Sequence, residues 1–203
     1  MTIVLVRHGE TAGNAQRVVQ PAETPLNEVG LYQAERVADR LVTLGAARIL
    51  SSHLPRARMT AEPLAKRTGL ELEIEPLLEE RNFGDLRGTP YSQLPDGHPF
   101  GPDLQPPHGE NWQAFHARVK QAFELIVERS KTTQGNLVVF THGLVLSSIV
   151  ELLVPCAAGL HAPGSFDNTS ITLLDASAPY TVRLVNDVAH LPSGHDPATA
   201  GTV

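Results

Sequence analysis

Cysteine is nearly absent: Cys156 is the only one in 203 residues. No intrachain disulfide can form, which predicts a reducing, cytoplasmic compartment. Positive charge is scarce as well, with 16 Lys and Arg against 22 Asp and Glu and a formal net charge of −6. That balance argues against a general nucleic-acid binder or a ligand of anionic membranes. Any anion site must be a local cluster of Arg and His. Long hydrophobic runs are missing: Glu151 interrupts the most apolar region, and no stretch approaches a membrane span. Ile3 to Val6 is too short for a signal-peptide core and has no basic segment before it.

Several chemistries lack their residues too. There is no Gly-Lys-Ser/Thr phosphate loop. Six positions after Cys156, where a cysteine-based phosphatase needs Arg, stands Ala162. The nine histidines fall at no zinc-ligand spacing. Neither a metal nor a cofactor is therefore predicted, and no exposed seam indicates an oligomer.

What is present reads as alternating strands and helices in one domain over 1–203, long enough for a sizeable core. Strands are predicted at Thr2–Val6, Arg48–Ser51, Glu71–Glu75, Asn136–Thr141, Ser170–Asp175 and Thr181–Val185, the last two joined through Ala178-Pro179. Leu31, Ala34, Val37, Ala38 and Leu41 recur at helical spacing and predict a helix from Glu28 to about Leu44. Further helices are predicted at Arg56–Arg67, stopped by Gly69 and open to a kink at Pro63, at Glu110–Glu128, and at Leu144–Val154. Thr89 to Gly109 is irregular, with Pro90, Pro95, Pro99, Pro102, Pro106 and Pro107, and is expected to cap the site. Residues 193–203 are expected to form a loose tail.

The residues that carry chemistry stand at the ends of these elements. Arg7-His8-Gly9 follows the first strand and leads to Asn14. Ser51-Ser52-His53-Leu54-Pro55-Arg56 follows the second, and Phe140-Thr141-His142-Gly143 ends the most apolar strand. Between them lies Glu79-Glu80-Arg81-Asn82-Phe83-Gly84-Asp85-Leu86-Arg87-Gly88. In open α/β sheets, ligands bind beyond the carboxyl ends of the strands. An Arg beside a His there offers a bidentate phosphate donor next to a nucleophile.

These four blocks, in this order, resemble the histidine phosphatase superfamily, also called phosphoglycerate mutase-like. With Asn168-Thr169-Ser170-Ile171 and His190-Leu191, the resemblance spans nearly the whole chain. It implies a three-layer α/β/α sandwich around a mixed, mostly parallel sheet with one antiparallel strand. It also implies that His8 is the nucleophile and forms a phosphohistidine, that Arg7 and Arg56 grip the phosphoryl oxygens, and that His142 donates to the phosphoryl group at the start of a helix. Glu80 matches the family's general acid and then acts as base on water. Glu79 is the competing candidate, set aside because Glu80 stands three residues before Phe83-Gly84.

Other residues keep two readings. Asn14 binds phosphate or caps a helix; Gly143 opens the helix at which the phosphate sits. Glu110 orients His142 or the substrate, or serves as charge at a helix N-terminus. Arg58, two residues beyond Arg56, points elsewhere into solvent. Arg87 grips a substrate carboxylate or is solvated, the reading favoured here.

Within the family, the chain reads as a metal-independent phosphatase of small phosphorylated metabolites. Thr11 and Gly13 stand where mutases carry Ser and Trp, whereas the Glu80–Gly88 block looks closer to the mutase form. Charge decides: Thr89 to Gly109 contains no Lys and no Arg, so a second phosphate there would be buried uncompensated, at several kcal/mol. Tyr91, Leu94, Phe100, Leu104 and Trp112 are expected instead to line a pocket for a neutral or partly apolar leaving group. The alternatives are a cofactor-dependent mutase and, further off, a non-catalytic phosphate-binding module.

Overall fold

The computed structural model describes residues 1–94, 101 and 103–192. Its centre is a six-stranded sheet in the order β3-β2-β4-β1-β5-β6. The strands are β1 (Thr2–Arg7), β2 (Ala46–Ser51), β3 (Leu72–Ile74), β4 (Asn136–Thr141), β5 (Ile171–Asp175) and β6 (Val182–Asp187). β1 pairs in parallel with β4, β4 with β2, and β2 with β3. β5 alone runs the other way, antiparallel to both β1 and β6.

The helices are α1 (Ala12–Gln16), α2 (Glu28–Thr43), α3 (Pro55–Thr68), α4 (Trp112–Lys131) and α5 (Gly143–Leu152). Alternation along the strands makes the layers, because successive strand side chains point to opposite faces. Ile3 and Leu5 of β1, with Leu137 and Val139 of β4, pack with Phe115, Val119 and Ile126 of α4 and Val145 and Ile149 of α5. Val4, Val6, Val138 and Phe140 face the other way, onto Val37 and Leu41 of α2 and Ala61 and Leu64 of α3. The result is the expected α/β/α sandwich with a mixed sheet. Among the described residues, no helix is long and apolar enough to cross a membrane.

Differences from the sequence reading sit at element ends. Asn111, not Glu110, caps α4: its side chain accepts from Ala114 N–H at 2.8 Å. α3 runs through Pro63. α1 has no apolar periodicity to announce it; it is a single turn closed by a capping box between Thr11 and Asn14.

Two close approaches fix the loops around the site. α2 begins hard against the turn after β1: a Cβ on Gly30 would lie 2.0 Å from Glu10 O. Gly84 has φ +50, and a Cβ there would meet Pro107 O at 2.0 Å. Only glycine suits both demands. The described start of the Pro-rich segment is tied down: Val19 and Thr89 are hydrogen-bonded, and Tyr91 N–H donates to Arg17 O at 2.9 Å. The rest of the expected cap, at 95–100 and 102, and the expected tail at 193–203 lie outside the described residues.

Candidate active site

The site forms where the C-terminal ends of β1 and β4 lie side by side. His8, one residue past β1, donates its N–H to Thr141 O at 3.0 Å, and its own carbonyl accepts from Asn168 Nδ2 at 3.0 Å. Thr169, next to Asn168, has φ +58. That conformation is rare for a β-branched residue, and it belongs to the turn that brings Asn168 onto His8 across 160 residues.

The His8 ring is oriented from within its own turn. Nδ1 lies 2.7 Å from Gly9 O. A carbonyl only accepts, so the proton stands on Nδ1 and Nε2 keeps its lone pair. Burial, then the charges of Arg56 and Arg7, push the His8 pKa well below its ordinary 6.5, against the pull of the Gly9 carbonyl. The ring is neutral at pH 7. His142 lies beside it, with ring centroids 5.2 Å apart.

His142 ends the β4 segment and is the N-cap of α5, with Gly143 as the first helical residue. Its Nε2 is 2.9 Å from Ser52 Oγ, while Nδ1 is buried without a partner. Ser52 Oγ already accepts from Leu54 N–H. If its hydroxyl donates to Nε2, the ring proton stands on Nδ1 and every group but that one is satisfied. Burial and the nearby Arg56, His8 and Arg7 also hold His142 neutral.

Arg7 and Arg56 are both buried. Arg7 donates from Nη1 to Phe166 O and leaves Nε and Nη2 without partners. Among the described residues, Arg56, in the first turn of α3, makes two long bonds of 3.4 Å, to Pro21 O and Ala22 O, and its Nε has no partner. Burial lowers the pKa of both, that of Arg56 to about 10, partly offset by Glu80. Asn14 Oδ1 serves the capping box at Thr11, while its Nδ2 is buried and unpartnered. Buried polar groups are normally satisfied. Five unsatisfied donors shared by Arg7, Arg56, Asn14 and His142 describe a cradle for a compact anion.

Glu80 faces this cradle. Its Oε1 accepts from Arg81 N–H at 3.0 Å and Oε2 from Leu144 N–H of α5 at 3.2 Å. Burial raises its pKa, against those two bonds and the charges of Arg56 and Arg7. Glu79 turns away, half-buried, toward His53 at 3.7 Å.

A cleft of about 430 Å³, open mouth included, leads to His8, Arg56 and Glu80. Its walls are Val19, Gln20, Ala22, Leu54, Phe83 and Tyr91, with Arg81 and Arg87. This corrects the expected pocket. Tyr91 lines it, but Leu94 is buried in the core, Leu104 and Trp112 bound a separate shallow depression, and Phe100 lies outside the described residues. Arg81 donates to Leu104 O and Glu110 O and lies over the ring of Trp112, 4.0 Å away, while its Nη1 is buried without a partner. Arg87 is exposed at the rim, and Arg58 is exposed near Glu62. Glu110 does not reach His142; its carboxylate joins Arg118 and Asn82 N–H. Ser52, Asn168 and Arg118 hold the site residues in place, yet no role was assigned to them from sequence. For Ser52 and Asn168 the signal was their place in the blocks Ser51–Arg56 and Asn168–Ile171.

The chain belongs to the histidine phosphatase superfamily, branch 1, whose family model matches residues 3–187. Among its relatives is "Probable phosphoglycerate mutase GpmB" of Yersinia pestis (strain Pestoides F), 29% identical over 206 residues, covering 94% of this chain and 95% of that protein. Mycobacterial glucosyl-3-phosphoglycerate phosphatase Rv2419c, solved with VO3, is similar in structure, with a TM-score of 0.73 at 27% identity over 86% of this chain and 90% of that one. A phosphoglycerate mutase from Thermus thermophilus gives a TM-score of 0.72 at 29% identity, over 93% and 99% of the two chains. Phosphatases and mutases are thus both among the proteins this chain resembles.

Proposed function

We propose that the protein is a phosphatase that hydrolyses small phosphate monoesters through a phosphohistidine on His8, without a metal. The observation that carries this reading is the pairing of a neutral His8, its Nδ1 committed to Gly9 O, with buried unpartnered donors on Arg7, Arg56, Asn14 and His142. The lone pair on His8 Nε2 attacks phosphorus. The P–O bond to the leaving group breaks as the N–P bond forms, and the donors stabilise the charge on the equatorial oxygens. Glu80, whose pKa burial raises, passes its proton to the leaving oxygen. Water then attacks phosphorus, Glu80 takes its proton, and phosphate leaves with His8 regenerated.

Hydrolysis is favoured over mutase chemistry because the described walls offer little charge for a second phosphate. Arg81 commits Nε and Nη2 to Glu110 O and Leu104 O and keeps only Nη1 without a partner, Thr89–Gly109 has no basic residue, and Arg87 stands exposed at the rim. The partner is then a small phosphorylated metabolite. Two measurements test the reading. A 32P-labelled monoester should give an acid-labile phosphoenzyme that disappears in His8→Ala. Phosphate release from monoesters should exceed conversion of 3-phosphoglycerate to 2-phosphoglycerate primed with the bisphosphate. Label persisting in His8→Ala refutes the nucleophile, and interconversion tenfold faster than hydrolysis refutes the phosphatase assignment.

A further inference from the structure

Glu80 is bracketed by an ion pair that takes no part in the steps above. Arg118, on α4, donates from Nη1 to Leu77 O and Glu79 O, each at 2.9 Å, and from Nη2 to Glu80 O at 3.4 Å. The same guanidinium holds Glu110, Nε to Oε1 at 2.8 Å and Nη2 to Oε2 at 2.7 Å. Glu110 in turn grips the far side of Glu80: its Oε2 accepts from Asn82 N–H at 2.8 Å, and its own N–H donates to Asn82 O at 2.7 Å. The chain before Glu80 thus hangs on Arg118 and the chain after it on Glu110. Both side chains are largely buried, and neither lines the cleft.

A buried ion pair is weak evidence for stability, because desolvation offsets most of its attraction. Its planar fork does impose geometry, since the five donors of an Arg point in fixed directions. The segment needs that help. Among the described residues it has no strand partner around Glu80; besides the pair it is held by the 3-10 turn Pro76–Leu78, by Thr141 Oγ1 on Leu78 O at 2.8 Å, by the Arg81 side chain on Glu110 O and Leu104 O, and at the carboxyl itself by Leu144 N–H at 3.2 Å. We propose that the Arg118–Glu110 pair is a positioning device for the general acid, locking residues 77–82 so that the Glu80 carboxyl stands at the leaving oxygen. This rests on the reading of Glu80 above.

The test separates geometry at the leaving oxygen from general damage. Arg118→Gln should slow first-turnover release of an alkyl leaving group, the step in which Glu80 acts as acid, roughly 10–100-fold, the scale of a small misplacement of a catalytic group. First-turnover release of 4-nitrophenol from 4-nitrophenyl phosphate, whose leaving group needs little protonation, should slow by less than about threefold, with the half-saturating concentration of both esters little changed. In a Glu80→Gln background, Arg118→Gln should add almost nothing, because the acid it positions is already gone. Should Arg118→Gln not fold, Glu110→Gln, close in shape and still able to accept from Asn82 N–H, should give the same split between esters. Equal losses on both esters, or a full further loss on top of Glu80→Gln, overturn the proposal. Rapid-quench labelling of the wild type runs alongside. Absence of phosphohistidine there overturns the functional reading and this role with it, whereas its presence with equal losses overturns this role alone.

Discussion

Arg56 should be a residue that the free enzyme is better off without. Burial takes its pKa from 12.5 to about 10, with Arg7 and Arg87 adding to the shift and Glu80 opposing it. At about 1.4 kcal/mol per pH unit, this amounts to about 3 kcal/mol against the charged side chain. Among the described residues its hydrogen-bond partners are the two carbonyls at 3.4 Å, whose loss costs about 1 kcal/mol. Arg56→Met, of similar length and without charge, should therefore stabilise the phosphate-free protein by about 1–2 kcal/mol. For a chain of this size, that raises Tm by about 2–8 °C. Activity should meanwhile drop roughly 10³-fold or more, as when an arginine is removed from a transferring phosphoryl group. Phosphate should reverse the ranking: at one hundred times its Kd it stabilises the wild type by about 2.7 kcal/mol and Arg56→Met hardly at all. Urea unfolding of both proteins, with and without phosphate, measures all of this. A variant at least 1 kcal/mol less stable than wild type without phosphate would show that protein partners, not an anion, satisfy the guanidinium.

Three further outcomes are expected. Glu80→Gln should slow first-turnover release of alkyl leaving groups roughly 10²–10⁴-fold and that of 4-nitrophenol far less; equal losses in rapid-quench assays of that first turnover would contradict its role as acid. Stability of the phosphate-free protein should fall with pH below about 6.5. The folded pKa values of His8 and His142 are depressed, so the unfolded chain binds protons first, and each ring costs up to about 1.4 kcal/mol per pH unit. Glu80, whose pKa is raised, has the opposite sign and offsets one ring above about 4.5. A urea midpoint unchanged between pH 7 and 5.5, or a loss that His8→Asn does not reduce, would count against buried neutral imidazoles. Lastly, Arg87→Gln should raise KM for monoesters bearing a carboxylate a few-fold and leave neutral esters unchanged, since an exposed rim charge contributes about 1 kcal/mol or less. Equal effects on both ester classes would remove Arg87 from substrate selection.

The sequence by itself determined the layers and the ends of the strands. The unbroken apolar runs Ile3 to Val6 and Leu137 to Phe140, set against the helical spacing of Leu31 to Leu41, are local information: they marked strands buried on both faces and a helix buried on one, although Leu31 itself is exposed. Arg7, His8 and His142 were legible for the same reason: each directly follows or ends an apolar strand, and parallel neighbours bring such ends together. Arg56 and Glu80 stand in blocks whose internal spacing is itself a pattern. Tertiary structure alone decided what has no local pattern. Asn168 reaches the His8 carbonyl across 160 residues, Arg118 reaches the carbonyls of Leu77 and Glu79 across 41 and 39, and Ser52 meets His142 across 90. The cleft walls changed for a related reason. Leu94 and Leu104 are apolar and near the site in sequence, but whether an apolar side chain lines a cavity or fills the core depends on which neighbours close over it. Glu79 and Glu80 make the same point at one residue's distance: their chemistry is identical, and only the fold places one against Leu144 N–H and the other beside His53.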